Sequence, residues 1–225
     1  MKRRQFVVIG LGRFGAAMAT TLSGLGHEVV GVDAREDSVA ALADTIEQAI
    51  QLDATDVKAL RAAGVQNFEV AVVSIGENIE SSLLVVMQLK ELGIPTIVAK
   101  AVTPIHGRIL ERLGVSRVIF PEREMAVRLA HSLASPNVLD YIEFSEGYSI
   151  AEVPAPETFV GQTLRQLELR PRFGLTLIAI KRRHGATGEE KTSIAPGAEE
   201  VIRSGDVLAL LGSNEQIEAL DDLLK

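Results

Sequence analysis

The sequence predicts an α/β fold: a Rossmann-type, doubly wound parallel sheet followed by a small α+β module. Two observations support this prediction. As far as residue 133, short apolar runs alternate with segments whose apolar residues recur at three- and four-residue steps. From Tyr148 onward, short strand-like runs are separated by turn residues. Parallel strands need crossover connections, usually helices, so the first part is expected to be a sheet covered on both faces.

The first strand, predicted from residue 5 to 9, runs into the turn Gly10-Leu11-Gly12-Arg13-Phe14-Gly15. In such a turn Gly10 allows the sharp bend, Gly12 lets phosphate oxygens approach bare backbone, and Gly15 lets the next helix pack closely on the sheet. The N-terminus of that helix favours anions. A second strand ends at Asp33, close to the spacing of about 20 residues expected of an acid that binds ribose. The stretch therefore predicts a nucleotide-binding site.

The rest of the first module follows the same alternation of apolar runs and helical spacing. The further predicted strands cover residues 49–52, 68–74, 96–100 and 117–120. The predicted helices cover 35–44, 79–92, 104–113 and 123–133, with a short helix around Val57 and Leu60. The two helices that come last lie late in the sheet order, where an uncovered apolar face could meet a partner. They predict a homo-oligomer, at least a dimer.

A second module begins after Ser135-Pro136-Asn137, which breaks the preceding helix. Residues 138–144 are interpreted as a connector. The predicted strands then cover 149–153, 175–181, 192–195 and 207–211, and the predicted helices cover 163–169 and 215–224. Residues 184–190 are expected to form an exposed hairpin tip.

Composition excludes several classes of function. The 225 residues include no cysteine, so disulfides and thiolate metal sites are ruled out. The formal net charge is −7, which argues against non-specific binding of nucleic acid. A segment that crosses a bilayer needs about 20 consecutive apolar residues, and no window of that length in the sequence is free of charges. A cytoplasmic protein is expected.

Several polar residues at strand ends have two interpretations. Asp53 and Thr55 either begin the third helix as N-cap residues or contact a nucleotide at the carboxyl edge of the sheet. Ser74, Gly76 and Asn78 lie at the same predicted edge. From spacing alone, Lys100 is an ordinary solvated lysine. No catalytic residue is predicted, because none of the four histidines (27, 106, 131 and 184) pairs with another at a ligand spacing.

The order of these motifs resembles the RCK proteins, the regulators of K⁺ conductance. The resemblance rests on the glycine turn, Asp33, Asp53-Ala54-Thr55, Ser74-Ile75-Gly76-Glu77-Asn78, Val98-Ala99-Lys100-Ala101 and Pro121-Glu122. It is strongest to the KtrA/TrkA-type regulatory subunits of bacterial Ktr/Trk potassium transporters. It implies an RCK N-domain over residues 1–136, a crossover linker over 137–147 and an RCK C-domain over 148–225.

The resemblance also implies ligands. Members of the family bind ATP or ADP in the N-domain, and some bind NAD⁺ or NADH. It assigns the loop around Arg13 to phosphates, Asp33 to ribose, and Asp53 with Thr55 to the adenosine end. It also implies that Glu122 holds Mg²⁺ or Ca²⁺ near the terminal phosphates at a subunit interface. The candidate nucleotide-binding residues are Gly10, Gly12, Arg13, Phe14, Gly15, Asp33, Ala34, Asp53, Ala54, Thr55, Ser74, Ile75, Gly76, Asn78 and Lys100. From the residues alone, Arg13 could equally form a surface ion pair and Glu122 could stabilise a helix N-terminus.

The resemblance implies partners as well: an octameric ring of subunits beneath an integral-membrane K⁺ pore, so that the chain lies at the inner face of the membrane. Several members bind cyclic di-AMP at the C-domain dimer. Here the hairpin over residues 184–192 is longer than the family suggests, which leaves that ligand an open alternative.

Two classes of function compete. One is a non-catalytic nucleotide sensor that gates a K⁺ transporter, or a different transporter that carries an RCK module. The other is an NAD-dependent oxidoreductase, which needs a positioned acid or base beside the nicotinamide. The second module offers no histidine paired with an acid, and Asp33 argues against NADP because an acid repels a 2′-phosphate. The sensor is the preferred interpretation.

Overall fold

A computed structural model of the chain describes residues 2–76, 78–134, 138–184 and 189–219. The chain divides into two compact units, Met1–Pro121 and Glu122–Lys225. The boundary falls at the start of the helix Pro121–Ala134, which lies entirely within the first domain as predicted from the sequence. The domain limits predicted at residues 136, 147 and 148 stay predictions.

The first unit contains one parallel six-stranded sheet. Its strands are β1 (Gln5–Ile9), β2 (Glu28–Asp33), β3 (Gln48–Gln51), β4 (Val70–Val73), β5 (Thr96–Lys100) and β6 (Arg117–Ile119), in the order β3-β2-β1-β4-β5-β6. The helices of the first unit are α1 (Arg13–Gly24), α2 (Glu36–Ala40), α3 (Val57–Ala62), α4 (Ile79–Glu91) and α5 (Pro104–Arg112). The predicted doubly wound parallel sheet is confirmed.

The central strands are buried on both faces, which explains their unbroken apolar runs. On one face Val7 and Ile9 pack with Val73 from β4. On the other face Phe6 and Val8 pack in a second cluster. Because successive side chains of a strand point to opposite faces, each central strand contributes to two apolar layers.

Helix boundaries follow their capping residues. The side chains of Asn78 and Thr103 accept hydrogen bonds from Ser81 N and His106 N, which begins α4 and α5. The helix predicted over residues 35–44 is shorter in the structure, because α2 ends at Ala40 and tighter turns follow, in which Thr45 N donates to Leu42 O.

The second unit is built on an antiparallel five-stranded sheet. Its strands are β7 (Asp140–Ser145), β8 (Tyr148–Pro154), β9 (Thr176–His184), β10 (Glu189–Ile194) and β11 (Val207–Ser213), in the order β10-β9-β11-β8-β7. The helices are α6 (Pro121–Ala134), α7 (Leu164–Leu167), α8 (Leu169–Phe173) and α9 (Asn214–Glu218). The predicted α+β character of this module is confirmed.

Two predictions for the second unit are wrong. The expected connector over residues 138–144 is mostly the strand β7, which pairs with β8 through a turn at Gly147 (φ +77°). Only Tyr141 of that edge strand is buried, so its sequence lacks an apolar run. The helix predicted over 163–169 is broken at Glu168, whose φ is +47°, giving α7 and α8.

Two further predictions fall partly outside the described residues. These are the hairpin tip around 185–188 and the part of the last helix beyond residue 219. Within the described residues, no helix combines the length and apolar character needed to cross a bilayer.

Candidate functional site

A cleft of about 330 Å³ opens at the carboxyl ends of β1, β2 and β4 in the first unit. The strand order reverses between β1 and β4, which is where open α/β sheets bind ligands. The described residues that line it are Ile9, Gly10, Gly12, Val32, Asp33, Ala34, Arg35, Ser38, Leu52, Asp53, Ala54, Thr55, Ser74, Ile75, Gly76, Asn78 and Ser81. Most come from the first residues after a strand.

Two glycines of the turn are required by close packing. Gly10 has φ +91°, and a Cβ there would lie 3.0 Å from the backbone carbon of Ser74. At Gly15 a Cβ would lie 1.8 Å from the carbonyl oxygen of Gly10. The turn therefore holds the first turn of α1 directly against the ends of β1 and β4.

Gly12 has a different role. It is the N-cap residue of α1, it provides no side-chain cap, and a Cβ there would meet nothing within 4 Å. The first turn of α1 contains no acidic residue. The first amide N–H groups of α1 and the positive end of its dipole therefore lie beside an unobstructed stretch of backbone with no acidic side chain in the first turn, which suits phosphate oxygens.

Asp33 is held by the backbone on both sides. Its Oδ2 accepts a hydrogen bond from Leu11 N at 2.7 Å, and its Oδ1 accepts one from Arg35 N at 2.9 Å. An ionised carboxylate has about four acceptor positions, so two remain for ribose hydroxyls. The acid thus fixes the glycine turn and still presents lone pairs to the cleft.

Asp53 and Thr55 form a local turn at the same edge. Asp53 Oδ1 accepts hydrogen bonds from Thr55 Oγ1 at 2.7 Å and from Thr55 N at 2.9 Å. These bonds, the hydroxyl first, hold the pKa of Asp53 below its usual value. The alternative that this pair caps α3 is wrong, because the N-cap is Asp56, whose Oδ1 accepts from Lys58 N at 2.8 Å.

The far end of the cleft combines α4 with Lys100. Asn78 lines the cleft and caps α4 by accepting a hydrogen bond from Ser81 N at 3.0 Å. A Cβ on Gly76 would lie 3.5 Å from Lys100 Nζ, so the ammonium group is adjacent to the cleft wall. Lys100 Nζ also lies 5.9 Å from the ring centroid of Phe14.

The structure brings most of the predicted binding residues to one cleft. Those that line it are Gly10, Gly12, Asp33, Ala34, Asp53, Ala54, Thr55, Ser74, Ile75, Gly76 and Asn78. Arg13, Phe14, Gly15 and Lys100 belong to the same unit but are not among the lining residues, and Glu122 belongs to the second unit. The binding roles of all these residues stay predictions.

Sequence reasoning missed six residues of the cleft wall: Ile9, Val32, Arg35, Ser38, Leu52 and Ser81. Ile9 and Val32 lie at the ends of β1 and β2, and Arg35, Ser38 and Leu52 closely follow β2 or β3, so a search of strand ends and the turns after them would have found these five, whereas Ser81 lies within α4. Among the described residues, no group of three or more His, Cys, Asp or Glu side chains is arranged to hold a metal ion. The cation predicted at Glu122 stays a prediction.

Comparison with known proteins places this geometry in context. Residues 6–121 match the TrkA-N domain and residues 148–225 match the TrkA-C domain. The chain is 41% identical to the Ktr system potassium uptake protein C of Bacillus subtilis (strain 168), over 97% of this chain and 96% of the relative. It is 39% identical to the Ktr system potassium uptake protein A of the same organism, over 99% and 97%.

Solved structures show the same fold. The crystal structure of the GsuK RCK domain matches with a TM-score of 0.65 and 22% identity, covering 99% of this chain and 48% of that one. The GsuK channel bound to NAD matches with a TM-score of 0.53 and 23% identity, covering 100% and 39%. This chain therefore spans less than half the length of either GsuK chain.

Proposed function

Because the chain belongs to the family of proteins built from a TrkA-N and a TrkA-C domain, we propose that it is a nucleotide-sensing, non-catalytic regulatory subunit that gates a membrane K⁺ transporter. Its similarity to two Ktr potassium uptake proteins over nearly their whole length supports this function. The cleft supplies the sensing element, and the pore belongs to a separate membrane subunit.

The observation that carries the proposal is the pairing of Gly12 with Asp33. The first offers bare backbone at the N-terminus of α1, and the second presents carboxylate lone pairs beside it. Phosphate fits the former and ribose the latter, which together describe a nucleotide. ADP or ATP is the proposed ligand. NAD⁺ or NADH is the alternative, favoured by the NAD-bound GsuK channel that shares this fold.

The subunit is proposed to act as a homo-oligomer, with an octameric ring as the expected assembly at the inner face of the membrane. Exposed apolar side chains support a partner. On α6, which buries none of its residues, Met125, Leu129 and Leu133 are exposed, and on α5 Ile105 is exposed. Mg²⁺ or Ca²⁺ at Glu122 and cyclic di-AMP at the C-domain complete the proposed ligand set.

The competing function, an NAD-dependent oxidoreductase, needs an acid or base that is free to exchange a proton with substrate. Among the described residues that line the cleft, the carboxylates are those of Asp33, which accepts hydrogen bonds from two backbone N–H groups, and Asp53, which accepts them from the N–H and the hydroxyl of Thr55. Such bonds hold both carboxylates in a fixed orientation, and those from Thr55 lower the pKa of Asp53, which suits ligand binding better than proton transfer.

Calorimetric titration of the purified chain with ADP, ATP, NAD⁺ and NADH tests the proposal. We expect saturable binding of at least one nucleotide without turnover, and a nucleotide-dependent K⁺ flux in liposomes that contain the chain together with its membrane subunit. Steady conversion of NADH with a small substrate would favour the oxidoreductase. If the chain bound none of the four nucleotides, the proposed sensor function would be refuted.

A further inference from the structure

The adenosine end of the cleft has an unusual wall. Among the described residues that line it there is no aromatic side chain, and Arg35 is the one cation. A purine base presents two flat faces, which proteins cover with aromatic rings, guanidinium planes or apolar side chains. Arg35 is therefore the planar group that the described wall offers to a base.

The backbone places Arg35 next to the ribose position. Its N–H donates a hydrogen bond to Asp33 Oδ1 at 2.9 Å, and its backbone is extended (φ −92°, ψ 123°) as the N-cap residue of α2. Leu52, which also lines the cleft, donates its N–H to Asp33 O at 3.1 Å. Asp33 thus anchors Arg35 through its carboxylate and Leu52 through its main-chain carbonyl, at the place where the base would be attached to the ribose.

We propose that Arg35 is a specificity-determining residue of the nucleotide site, whose guanidinium stacks on one face of the adenine ring while Leu52 supplies an apolar contact. This inference rests on the proposed function, because it concerns the base of the nucleotide that the cleft binds. It adds a residue that the predicted set did not include.

Local charge favours a base over a second phosphate as the partner of Arg35. Asp33 and Asp53 both line this end of the cleft, and the hydrogen bonds from Thr55 keep the pKa of Asp53 low, so that it is ionised at neutral pH. A 2′-phosphate at this place would be repelled by two carboxylates, whereas a neutral adenine ring would not be repelled.

The test compares ligands with and without the base, measured by calorimetry and by competition against ADP. The probes are AMP, ribose 5-phosphate and adenosine 2′,5′-bisphosphate, and the variants are Arg35→Ala, Arg35→Lys and the control Arg61→Ala. Arg61 is exposed in the last turn of α3, and its removal changes net charge equally. Circular dichroism checks that each variant is folded.

We expect Arg35→Ala to weaken AMP binding by about tenfold and ribose 5-phosphate binding little, since stacking acts on the base alone. Arg35→Lys should also lose most of the AMP affinity, because an ammonium group keeps the charge but not the plane. Arg61→Ala should bind as the parent does.

Equal losses for AMP and ribose 5-phosphate, or a larger loss for the bisphosphate than for AMP, would overturn the inference by showing that Arg35 binds phosphate. Unchanged AMP affinity in Arg35→Ala would overturn it as well, while leaving the nucleotide site intact. If the parent protein bound neither AMP nor ADP, the proposed function would fall together with the inference.

Discussion

Oδ2 of Asp33 accepts a hydrogen bond from the backbone N–H of Leu11 at 2.7 Å. This bond joins the end of β2 to the glycine turn that follows β1, although the two residues are 22 positions apart in the sequence. The acid expected to bind ribose thus also fixes the turn expected to bind phosphate. If the cleft binds a nucleotide as proposed, its ribose and phosphate contacts would be coupled through this one carboxylate.

The first prediction concerns that coupling. Asp33→Ala should weaken ADP binding by at least tenfold with the overall fold retained, because hydrogen bonds to a charged acceptor contribute about 1.5–3 kcal/mol each. Calorimetry measures the affinity and circular dichroism the fold. Asp37→Ala, which removes an exposed acid from the first turn of α2, is the matched control. Parent-like affinity in Asp33→Ala would remove this residue from the site.

A second prediction compares two glycines of α1. Gly15→Ala should destabilise the protein by about 1–3 kcal/mol or more, because its Cβ would lie 1.8 Å from Gly10 O. Gly24→Ala should leave stability unchanged or raise it by up to about 1 kcal/mol, since a Cβ there meets nothing within 4 Å. Urea unfolding of both variants measures the difference. Similar stabilities would contradict the close packing of the turn.

A third prediction separates binding from folding at Gly12. A Cβ there meets no protein atom within 4 Å, so Gly12→Ala should unfold at the same urea concentration as the parent. The added methyl group would nevertheless occupy the space where phosphate oxygens approach the backbone. Titration with ADP should therefore show a loss of about tenfold or more, and full affinity in this variant would argue against phosphate at the turn.

The fourth prediction concerns a buried ion pair in the second unit. Arg182 donates from Nε and Nη2 to the two oxygens of Asp206, both at 2.7 Å, and Asp206 is 1% exposed. Asp206→Ala should cost about 3–5 kcal/mol of unfolding free energy, because it leaves a partly buried guanidinium without its main partner. Glu199→Ala, which breaks an exposed pair with Arg165, should cost about 1 kcal/mol at most.

The same pair gives a pH dependence. Burial raises the pKa of Asp206, but the hydrogen bonds from Arg182 and from Arg203 N, with the charge of Arg182, outweigh it and hold the pKa below its ordinary value of 3.8. A carboxyl whose pKa is lowered by folding stabilises the folded state above its unfolded pKa, and this stability is lost as the pH falls. Urea unfolding at pH 7 and pH 3.5 should show a smaller loss in Asp206→Asn than in the parent.

The fifth prediction concerns the discrimination of ATP from ADP by Arg13 and Glu122. A switch must make some contact that only the γ-phosphate completes, because a ligand with equal affinity for two states shifts neither. Arg13→Ala should reduce the preference for ATP, since a guanidinium binds phosphate oxygens through paired donors. Glu122→Gln should abolish the effect of Mg²⁺ or Ca²⁺ on ATP-dependent K⁺ flux in liposomes without abolishing ADP binding. Flux responses identical to the parent would exclude both residues from the switch.

Local sequence patterns determined much of this protein. The glycine turn, the acid at Asp33 and the alternation of buried strands with helices predicted the parallel sheet, and the order of the motifs identified the family, which the relatives confirm. These features were readable because a strand buried on both faces must be apolar throughout. Position 10 likewise requires glycine, because the backbone there has a positive φ and packs against the backbone of Ser74.

Only the tertiary structure decided which residues share the cleft. Arg35 follows β2 and Leu52 follows β3, and both line the cleft because β2 and β3 are neighbours in the sheet and both residues hydrogen-bond to Asp33. The edge strand β7 was not predicted from the sequence, because a strand with only one buried side chain has no periodic apolar pattern. Sequence periodicity reports burial along a segment, whereas a binding site depends on which strand ends the sheet order brings together.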